Sequence, residues 1–385
     1  MTHGVRTMSI MDSIKLFGPA WIALLANADA ASILGGVLTG EQYGTKLLWF
    51  IVMLSFPLYV IQEASGRLGA VTGKGLGEVI RTEYTRKVAL MATIPMFLVD
   101  SFTYLSEYVG IAVGASMLGI NPVIILPLVF ALHLLIIVSG ELELTERVLL
   151  VVTAIILSVS LFLVFPLRPL SYPFYVSYSP KFILFLALNV GAVVTPPCML
   201  VYQSTSTAFR YSKYTTSLSY KLKWNSRETL MGSLATELVI ALAVIIGHKT
   251  PYEVISSINS FLGILLISSG FLALVVVSLA SSWGVLESLG MNTRSNVKKV
   301  YFLESIPMFV TVLLLGDYLK LLNLAVTILS ISPIVIVLPS ILIGILVSKK
   351  RIMGKYTYSK TRTITYFVVI TLFLITGLLG LIELS

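Results

Sequence analysis

Hydrophobic residues in this chain fall into runs of about 20, separated by short polar connections, along its whole length. A helix of about 20 apolar residues crosses the roughly 30 Å of hydrocarbon in a bilayer. The pattern therefore predicts an all-α integral membrane protein with about 11 transmembrane helices. The predicted spans are 16–38, 45–66, 88–118, 122–139, 146–166, 181–205, 228–247, 254–284, 300–316, 320–348 and 362–383.

The composition agrees with a membrane protein. Hydrophobic residues make up 57% of the chain and charged residues only 12%, with a mean hydropathy of +0.94, whereas ordinary soluble domains are roughly 25% charged. The first apolar run leads into further runs without a small-residue cleavage site, so we expect a first span and not a signal peptide. A single cysteine, Cys198, excludes an intramolecular disulfide and a multi-cysteine zinc site.

Positive charge is concentrated on one side of the predicted membrane. With a cytoplasmic N-terminus, the inside connections hold 22 of the 27 Lys and Arg residues. The positive-inside rule then predicts a cytoplasmic N-terminus and an external C-terminus, with the plasma membrane as the expected location. The net charge of +9 is explained by this topology, so a nucleic-acid partner is disfavoured.

The spans are predicted to form one transmembrane domain made of two repeats. Five spans lie in residues 1–166, five in 181–348, and an additional helix covers 362–383. An odd number of spans makes the second repeat enter the membrane from the opposite side, which is the inverted-repeat arrangement of many transporters. The longest polar stretch between spans, 210–227, is predicted to be an inter-half linker and not a separate domain.

Two of the predicted helices are interrupted, and each is the first span of its repeat. Residues 27–32 place Asn, Asp and Ser in the middle of span one. In span six, residues 195–197 are Thr-Pro-Pro, and the two prolines remove backbone donors and clash with the preceding turn. We expect both helices to break at these points, with the freed carbonyls facing the interior because unsatisfied backbone cannot face lipid.

Asp29 is the acid in the first break, near the predicted middle of the membrane. An ionised carboxylate at that depth costs about 2.5–3.5 kcal/mol or more, so something must offset it. A cap on a half-helix or a buried base could do so. A bound cation is the favoured explanation, because the second break supplies carbonyls and the Thr195 hydroxyl at a matching depth. Ligation by oxygen alone suits hard cations.

Over essentially its whole length, the chain resembles the NRAMP family of divalent metal transporters. The motifs that carry the resemblance are Gly18-Pro19-Ala20-Trp21, Tyr43-Gly44-Thr45-Lys46-Leu47-Leu48-Trp49, Arg67-Leu68-Gly69, Val71-Thr72-Gly73-Lys74 and Arg351-Ile352-Met353-Gly354. The resemblance implies a LeuT-like fold of two five-helix repeats, alternating access and a metal held between the breaks of helices one and six. The implied ligands are Asp29, Ser32, Ala192 and Thr195, with no resident cofactor.

The breaks also depart from the family motifs. The Asp-Pro-Gly-Asn of helix one is Asp29-Ala30-Ala31-Ser32 here, and the Met-Pro-His of helix six is Thr195-Pro196-Pro197. A soft thioether, which favours transition metals, is thus replaced by a hydroxyl. The Thr-Pro-Pro variant is similar to the NRAMP-related magnesium transporters. That similarity implies Mg²⁺ as the substrate, with Mn²⁺ also accepted, and Mg²⁺ would keep several waters.

On span three, Asp100, Tyr104 and Glu107 are spaced i, i+4, i+7 and share one helical face. In the family this face carries a proton pathway, with acids at the positions of Tyr104 and Glu107 and a histidine at that of Pro197. Only Glu107 is retained, so we expect weak proton coupling or none. An internal hydrogen-bonded network around a buried acid is the alternative.

Other candidate residues have a weaker case. Lys298 and Lys299 match paired basic residues of the family, although they also fit as cytoplasmic topology charges. Cys198 and His133 are predicted to be packed or hydrogen-bonded residues and not ligands. No role is assigned to four further acids. They are Glu63, Glu237, Glu287 and Glu304.

Other classes of function fit the sequence less well. The three histidines, at 3, 133 and 248, cannot form a His-Glu-x-x-His protease site, and no Gly-rich phosphate loop for an ATP-driven pump is present. The first alternative is a proton-coupled importer of Mn²⁺ or Fe²⁺ from the same family. A carrier of amino acids or organic cations on the same fold is less favoured, because Asp29 would repel the carboxylate of an amino acid. A channel or a metal-sensing scaffold stays open, although two interrupted helices favour a moving carrier. The expected partners are a divalent metal ion and the lipid bilayer, with no obligate protein partner.

Overall fold

The computed structural model describes residues 10–139, 142–164, 174–194, 196–249, 255–316 and 332–384, and all regular structure in these ranges is helical. The helices of the first part are α1 (Ile10–Leu16), α2 (Pro19–Asn27), α3 (Ala30–Tyr43), α4 (Leu48–Thr72), α5 (Leu76–Glu83), α6 (Arg86–Met117), α7 (Pro122–Ser139) and α8 (Leu142–Val164). Those of the second part are α9 (Pro180–Val194), α10 (Met199–Ser212), α11 (Leu218–Lys249), α12 (Ile255–Leu289), α13 (Arg294–Leu315), α14 (Val337–Ser348), α15 (Lys350–Met353) and α16 (Lys360–Leu384).

Within the described ranges, eight helical stretches are long and apolar enough to cross a membrane, or nine if the bent pair 332–348 and 350–356 is one span. Large apolar side chains are exposed on the outer faces of these helices, as contact with lipid requires. Met53, Phe56 and Ile364 are each more than half exposed. The prediction of an all-helical membrane protein is confirmed.

The difference between eight or nine stretches and the eleven predicted spans has three causes. The first predicted span is divided between α2 and α3, and α3 continues through a short 3-10 turn into α4, so that 30–72 forms one helical stretch. Helix α13 carries Lys298, Lys299 and Glu304, so no membrane-length window of it is free of charge. Residues 320–331 of the predicted tenth span lie outside the described residues, as do 165 and 166 of the fifth, 195 of the sixth and 254 of the eighth.

The interrupted helices lie inside the bundle and are enclosed by longer ones. Helix α12 packs along α6, and α11 packs along both α3 and α4. The α10 segment contacts α4 and α2, so the two parts of the chain interlock around the breaks. The core is therefore formed between residues that are far apart in sequence.

Helices α3 and α11 approach each other so closely that only glycine fits at several positions. A Cβ atom on Gly40 would lie 2.0 Å from the Val244 carbonyl oxygen, and one on Gly247 would lie 2.0 Å from that of Val37. Small residues allow such backbone contact between membrane helices, where packing replaces the hydrophobic effect as the main attraction. This contact fixes α3, and with it the first break, against α11.

We expect G40A to lower the thermal midpoint of the purified protein, because overpacking a tight contact costs about 1–3 kcal/mol. G35A is the matched control on the same helix. The nearest atom to a Cβ on Gly35 lies 3.9 Å away, in the flexible Leu188 side chain, so this variant should unfold like wild type. Equal midpoints for G40A and wild type in thermal unfolding would contradict the close approach of the two backbones.

The predicted linker over 210–227 is wrong for most of its length. Helix α10 continues to Ser212 and α11 begins at Leu218, which leaves a connection of only a few residues. The polar residues of this stretch bind neighbouring helices. The Asn225 side chain donates to the Glu63 carbonyl oxygen at 3.3 Å, and the Ser226 and Tyr59 hydroxyls are 2.7 Å apart. Their polarity reflects these contacts at the end of a membrane helix.

Candidate functional site

The first break separates α2 from α3 at Ala28 and Asp29. The Ala28 amide closes α2 by donating to the Leu25 carbonyl oxygen at 3.1 Å. Asp29 has extended backbone angles and is the N-cap of α3, where its Oδ1 accepts the Ser32 amide at 2.6 Å. Aspartate is among the best N-cap residues because its side chain satisfies a free amide of the first turn. The interruption between α2 and α3 therefore needs no proline, because Asp29 caps the start of α3.

The second break separates α9, which ends at Val194, from α10, which begins at Met199. Pro196 and Pro197 lie between them, and their carbonyls accept the amides of Met199 at 3.1 Å and Leu200 at 3.4 Å. These bonds start α10 afresh after the prolines. The predicted break is thus confirmed, while Thr195 itself lies outside the described residues.

The two breaks meet inside the bundle. The Ser32 hydroxyl donates to the Ala192 carbonyl oxygen at 3.4 Å, across 160 positions of sequence. Asp29, Ser32 and Ala192 are all buried. The structure therefore brings together three of the four ligands that the sequence predicts.

Several polar atoms at this junction have no hydrogen-bond partner in the described part of the chain. They are Oδ2 of Asp29 and both side-chain polar atoms of Asn27. Buried polar groups without partners are costly and need an explanation such as an ion or water. Asn27 was not among the predicted ligands, although the signal was present, since it is the amide nearest to Asp29 in the interrupted segment.

Glu107 joins the first break from α6. Its Oε2 accepts the Ala30 amide at 2.9 Å, and its carboxyl group neighbours that of Asp29. Both acids are fully buried at the N-terminus of α3, where the helix dipole favours negative charge. Two neighbouring carboxylates away from water repel each other strongly, so the pair needs a cation or a proton between them.

A second group of buried acids lies beside the second break. The Asp100 carboxyl is next to the amide and thiol of Cys198, and neither of its oxygens has an ordinary hydrogen bond within the described residues. Glu304 of α13 accepts the Ser281 hydroxyl at 2.7 Å and faces Asp100 and Tyr104. Glu304 had no predicted role, because its depth and direction depend on how α13 packs.

The remaining candidates are placed away from both acid groups. Lys298 donates to the Val138 carbonyl oxygen at 2.6 Å and Lys299 is exposed, so the structure does not bring them to Glu107. His133 is buried between the hydroxyls of Tyr108, at 2.8 Å, and Tyr301. Its predicted role as a hydrogen-bonded packing residue agrees with these contacts.

The Cys198 thiol is buried and donates to the Val277 carbonyl oxygen at 3.8 Å. In the parts of the chain that the structure describes, no group of three or more His, Cys, Asp or Glu side chains could hold a metal ion. Any ion at the breaks would then depend on Asp29 together with hydroxyl, amide and carbonyl oxygens. Such a set suits a hard or borderline divalent cation.

Two interrupted helices that meet at a buried carboxylate within an all-helical membrane bundle are features of membrane transporters. The sequence profile of the family described as "Natural resistance-associated macrophage protein-like", or Nramp, matches residues 20–253. This segment is more than half of the chain, and the chain therefore belongs to the Nramp family. Because this is a transporter family, the prediction that the chain is not an enzyme is confirmed.

One similar protein is the "Divalent metal cation transporter MntH" of Bacillus subtilis (strain 168), which is 36% identical over 105 residues. The matched segment covers 27% of this chain and 25% of the Bacillus protein.

Among solved structures, the chain is similar to the Eremococcus coleocola manganese transporter bound to an aromatic bis-isothiourea substituted compound. The TM-score is 0.79 at 15% identity, over 97% of this chain and 86% of that one. A mutant of the same transporter gives a TM-score of 0.78 at 16% identity, over 98% and 87% of the two chains. At this level of identity the likeness establishes the fold.

Proposed function

We propose that this chain carries a divalent metal cation across the membrane by alternating access, with the ion bound where the two breaks meet. The observation that carries the proposal is the buried carboxyl of Asp29, whose Oδ2, like the adjacent Asn27 side chain, has no hydrogen-bond partner among the described residues. A transported cation would supply the positive charge that this carboxylate lacks. The proposed ligands are Asp29, Ser32, Ala192 and Thr195, with Asn27 added from the geometry.

The proposed ligands contribute oxygens from the two breaks, which belong to different parts of the bundle. Asp29 and Ser32 come from the start of α3, and Ala192 from the last turn of α9. Movement of one break relative to the other would therefore change the coordination of the ion. Such a change couples opening of the site to release, as alternating access requires.

We propose Mn²⁺ as the favoured ion. The similar proteins whose substrates are named are a divalent metal cation transporter and a manganese transporter. This choice differs from the Mg²⁺ expected from the breaks alone.

Mg²⁺ is the second candidate, and a specific observation favours it. Thr195 stands where the family motif has a thioether, and Cys198 turns toward Val277 and Asp100. Without sulfur at the site, selectivity for soft transition metals should fall.

For the architecture, we propose eleven spans in two inverted repeats of five, over 1–166 and 181–348, with 362–383 as the additional helix. The breaks support this division, because each lies in the first helix of its repeat. We propose a cytoplasmic N-terminus, an external C-terminus and a plasma-membrane location, on the distribution of Lys and Arg.

Calorimetric titration of the purified protein with Mn²⁺, Mg²⁺ and Cd²⁺, followed by uptake of the same ions into proteoliposomes, tests the function. We expect saturable Mn²⁺ binding together with uptake that other divalent ions compete for. Tighter Mg²⁺ binding than Mn²⁺ binding would support the second candidate. Binding without uptake would indicate a sensor, and failure to bind any of these ions would remove the proposed site.

We expect T195M to raise the affinity for Cd²⁺ relative to Mg²⁺ by roughly tenfold, which corresponds to about 1.4 kcal/mol. The reason is that the substitution restores a soft sulfur ligand to an oxygen-only site. T195S, which keeps the hydroxyl, is the matched control and should leave the ratio unchanged. An unchanged Cd²⁺ to Mg²⁺ ratio in T195M would mean that residue 195 does not face the ion.

A further inference from the structure

A groove of about 260 Å³ lies between α4 and α16, on the outside of the bundle and away from the breaks. The α4 side of the groove is lined by Phe56, Tyr59, Val60 and Glu63, and the α16 side by Tyr358, Thr361, Arg362 and Thr365. Glu63, Tyr358 and Arg362 are neighbours and form a polar end, whereas Phe56, about two turns away along α4, marks the apolar end. The groove has the polarity of a phospholipid.

Among the described residues, the polar end contains one positive charge that no acidic side chain neutralises. Arg67 donates to Glu63 through bonds of 2.7, 3.0 and 3.3 Å, so these two charges cancel. The Arg362 guanidinium stands 5.9 Å from the centre of the Tyr358 ring and forms no ion pair within the described residues. An anion is the ligand that this end lacks.

Tyr358 holds the cationic end in place. Its hydroxyl donates to Glu63 at 2.6 Å, and its backbone amide donates to the Val347 carbonyl oxygen at 3.0 Å. Burial, followed by the charge of Glu63, raises the pKa of Tyr358 well above its usual range, so the hydroxyl remains a donor. The ring that Arg362 stacks on is therefore fixed from two directions.

The apolar end leads toward the interior of the membrane. Phe56 precedes Glu63 by seven residues, which is roughly 10 Å along the helix axis, and its side chain is 56% exposed. Ile364 and Val368 continue an exposed apolar surface on α16. Arg362 stands at the start of α16, ahead of this surface, so it lies at headgroup level when Phe56 contacts acyl chains.

We propose that this groove binds an anionic phospholipid, with the phosphate on Arg362 and an acyl chain along Phe56 and Val60. Basic pockets between membrane helices recognise acidic headgroups in this way. The bound lipid would bridge α4 to α16, beside the Glu63, Arg67 and Tyr358 contacts that already join them. The site is independent of the proposed ion site, so each can be tested without the other.

Native mass spectrometry of the detergent-purified full chain tests the proposal, by titration with phosphatidylglycerol and phosphatidylcholine of identical acyl chains. We expect tighter binding of phosphatidylglycerol. R362Q should weaken this binding roughly tenfold, about 1.4 kcal/mol, and leave phosphatidylcholine unchanged. K360Q removes the same charge two residues earlier, outside the groove, and should bind like wild type. F56A should weaken both lipids.

Equal affinity for the two lipids would overturn the anionic site. Equal losses of phosphatidylglycerol affinity in R362Q and K360Q would also overturn it, because they would indicate general attraction to a basic segment. Inorganic phosphate is included as a competitor. Complete displacement of phosphatidylglycerol by phosphate would show an anion site without a lipid site. If R362Q does not fold, R362K keeps the charge but not the planar stacking group, and an intermediate affinity is expected.

Discussion

D29N is expected to lower the affinity for Mn²⁺ by at least about 100-fold, or roughly 2.8 kcal/mol, with little effect on folding. The variant removes the charge of Asp29 while keeping an N-cap, since asparagine caps helices as well as aspartate does. In wild type the Ser32 backbone amide donates to Oδ1 of Asp29 at 2.6 Å. In D29N the side-chain oxygen of the asparagine can still accept this bond. The loss is therefore a measure of charge and not of helix geometry.

Calorimetric titration with Mn²⁺ measures this effect, with thermal unfolding as the check on stability. E287Q is the matched control, because Glu287 is also a buried acid but its two oxygens already accept the Thr205 hydroxyl at 2.8 Å and the Gly77 amide at 3.1 Å. That variant should bind Mn²⁺ like wild type. Undiminished Mn²⁺ affinity in D29N would exclude Asp29 as a ligand.

D29A provides a further comparison, since it removes both the charge and the cap. We expect D29A to lose Mn²⁺ binding as D29N does, and in addition to lose about 1 kcal/mol of stability from the missing cap. Equal thermal midpoints for the two variants would mean that the Ser32 contact contributes little to the start of α3.

Metal transport is expected to proceed without stoichiometric movement of protons. The acids on α6 do not form a continuous hydrogen-bonded chain in the described structure, because the Tyr104 hydroxyl, which lies between Glu107 and Asp100 along the helix, has no partner. A phenol is also a far weaker acid than a carboxylic acid, and Pro197 has no side-chain proton to exchange. Inward movement of a divalent cation needs no proton gradient when the inside is negative, since two charges gain about 4.6 kcal/mol per 100 mV.

Proteoliposomes containing a pH-sensitive dye test this expectation, with Mn²⁺ uptake and internal pH followed together at a fixed membrane voltage. We expect Mn²⁺ entry with an unchanged internal pH. E107Q is informative in either case, because it keeps a side-chain oxygen that can accept the Ala30 amide but cannot carry a proton. Acidification in proportion to metal entry, lost in E107Q, would make the chain a proton-coupled importer and contradict the expected interruption at Tyr104.

The sequence by itself determined the class of the protein and the positions of both breaks. Hydropathy identified membrane helices because span length and apolar content are local properties that need no knowledge of the fold. An aspartate inside an apolar run and two adjacent prolines are equally local signals, and both helices are interrupted there in the structure. The family motifs also depend only on order and spacing, and the family match over 20–253 contains those at 43–49, 67–69 and 71–74.

Only the tertiary structure decided which polar groups meet. Glu107 reaches the Ala30 amide across 77 positions, and Ser32 reaches the Ala192 carbonyl across 160. Glu304 joins Asp100 because α13 packs against α6. The helical stretch 218–227 packs on α4, where Asn225 and Ser226 bind Glu63 and Tyr59. Helical periodicity assigns a residue to a face of its own helix, but the neighbour of that face is set by packing, which depends on the whole bundle.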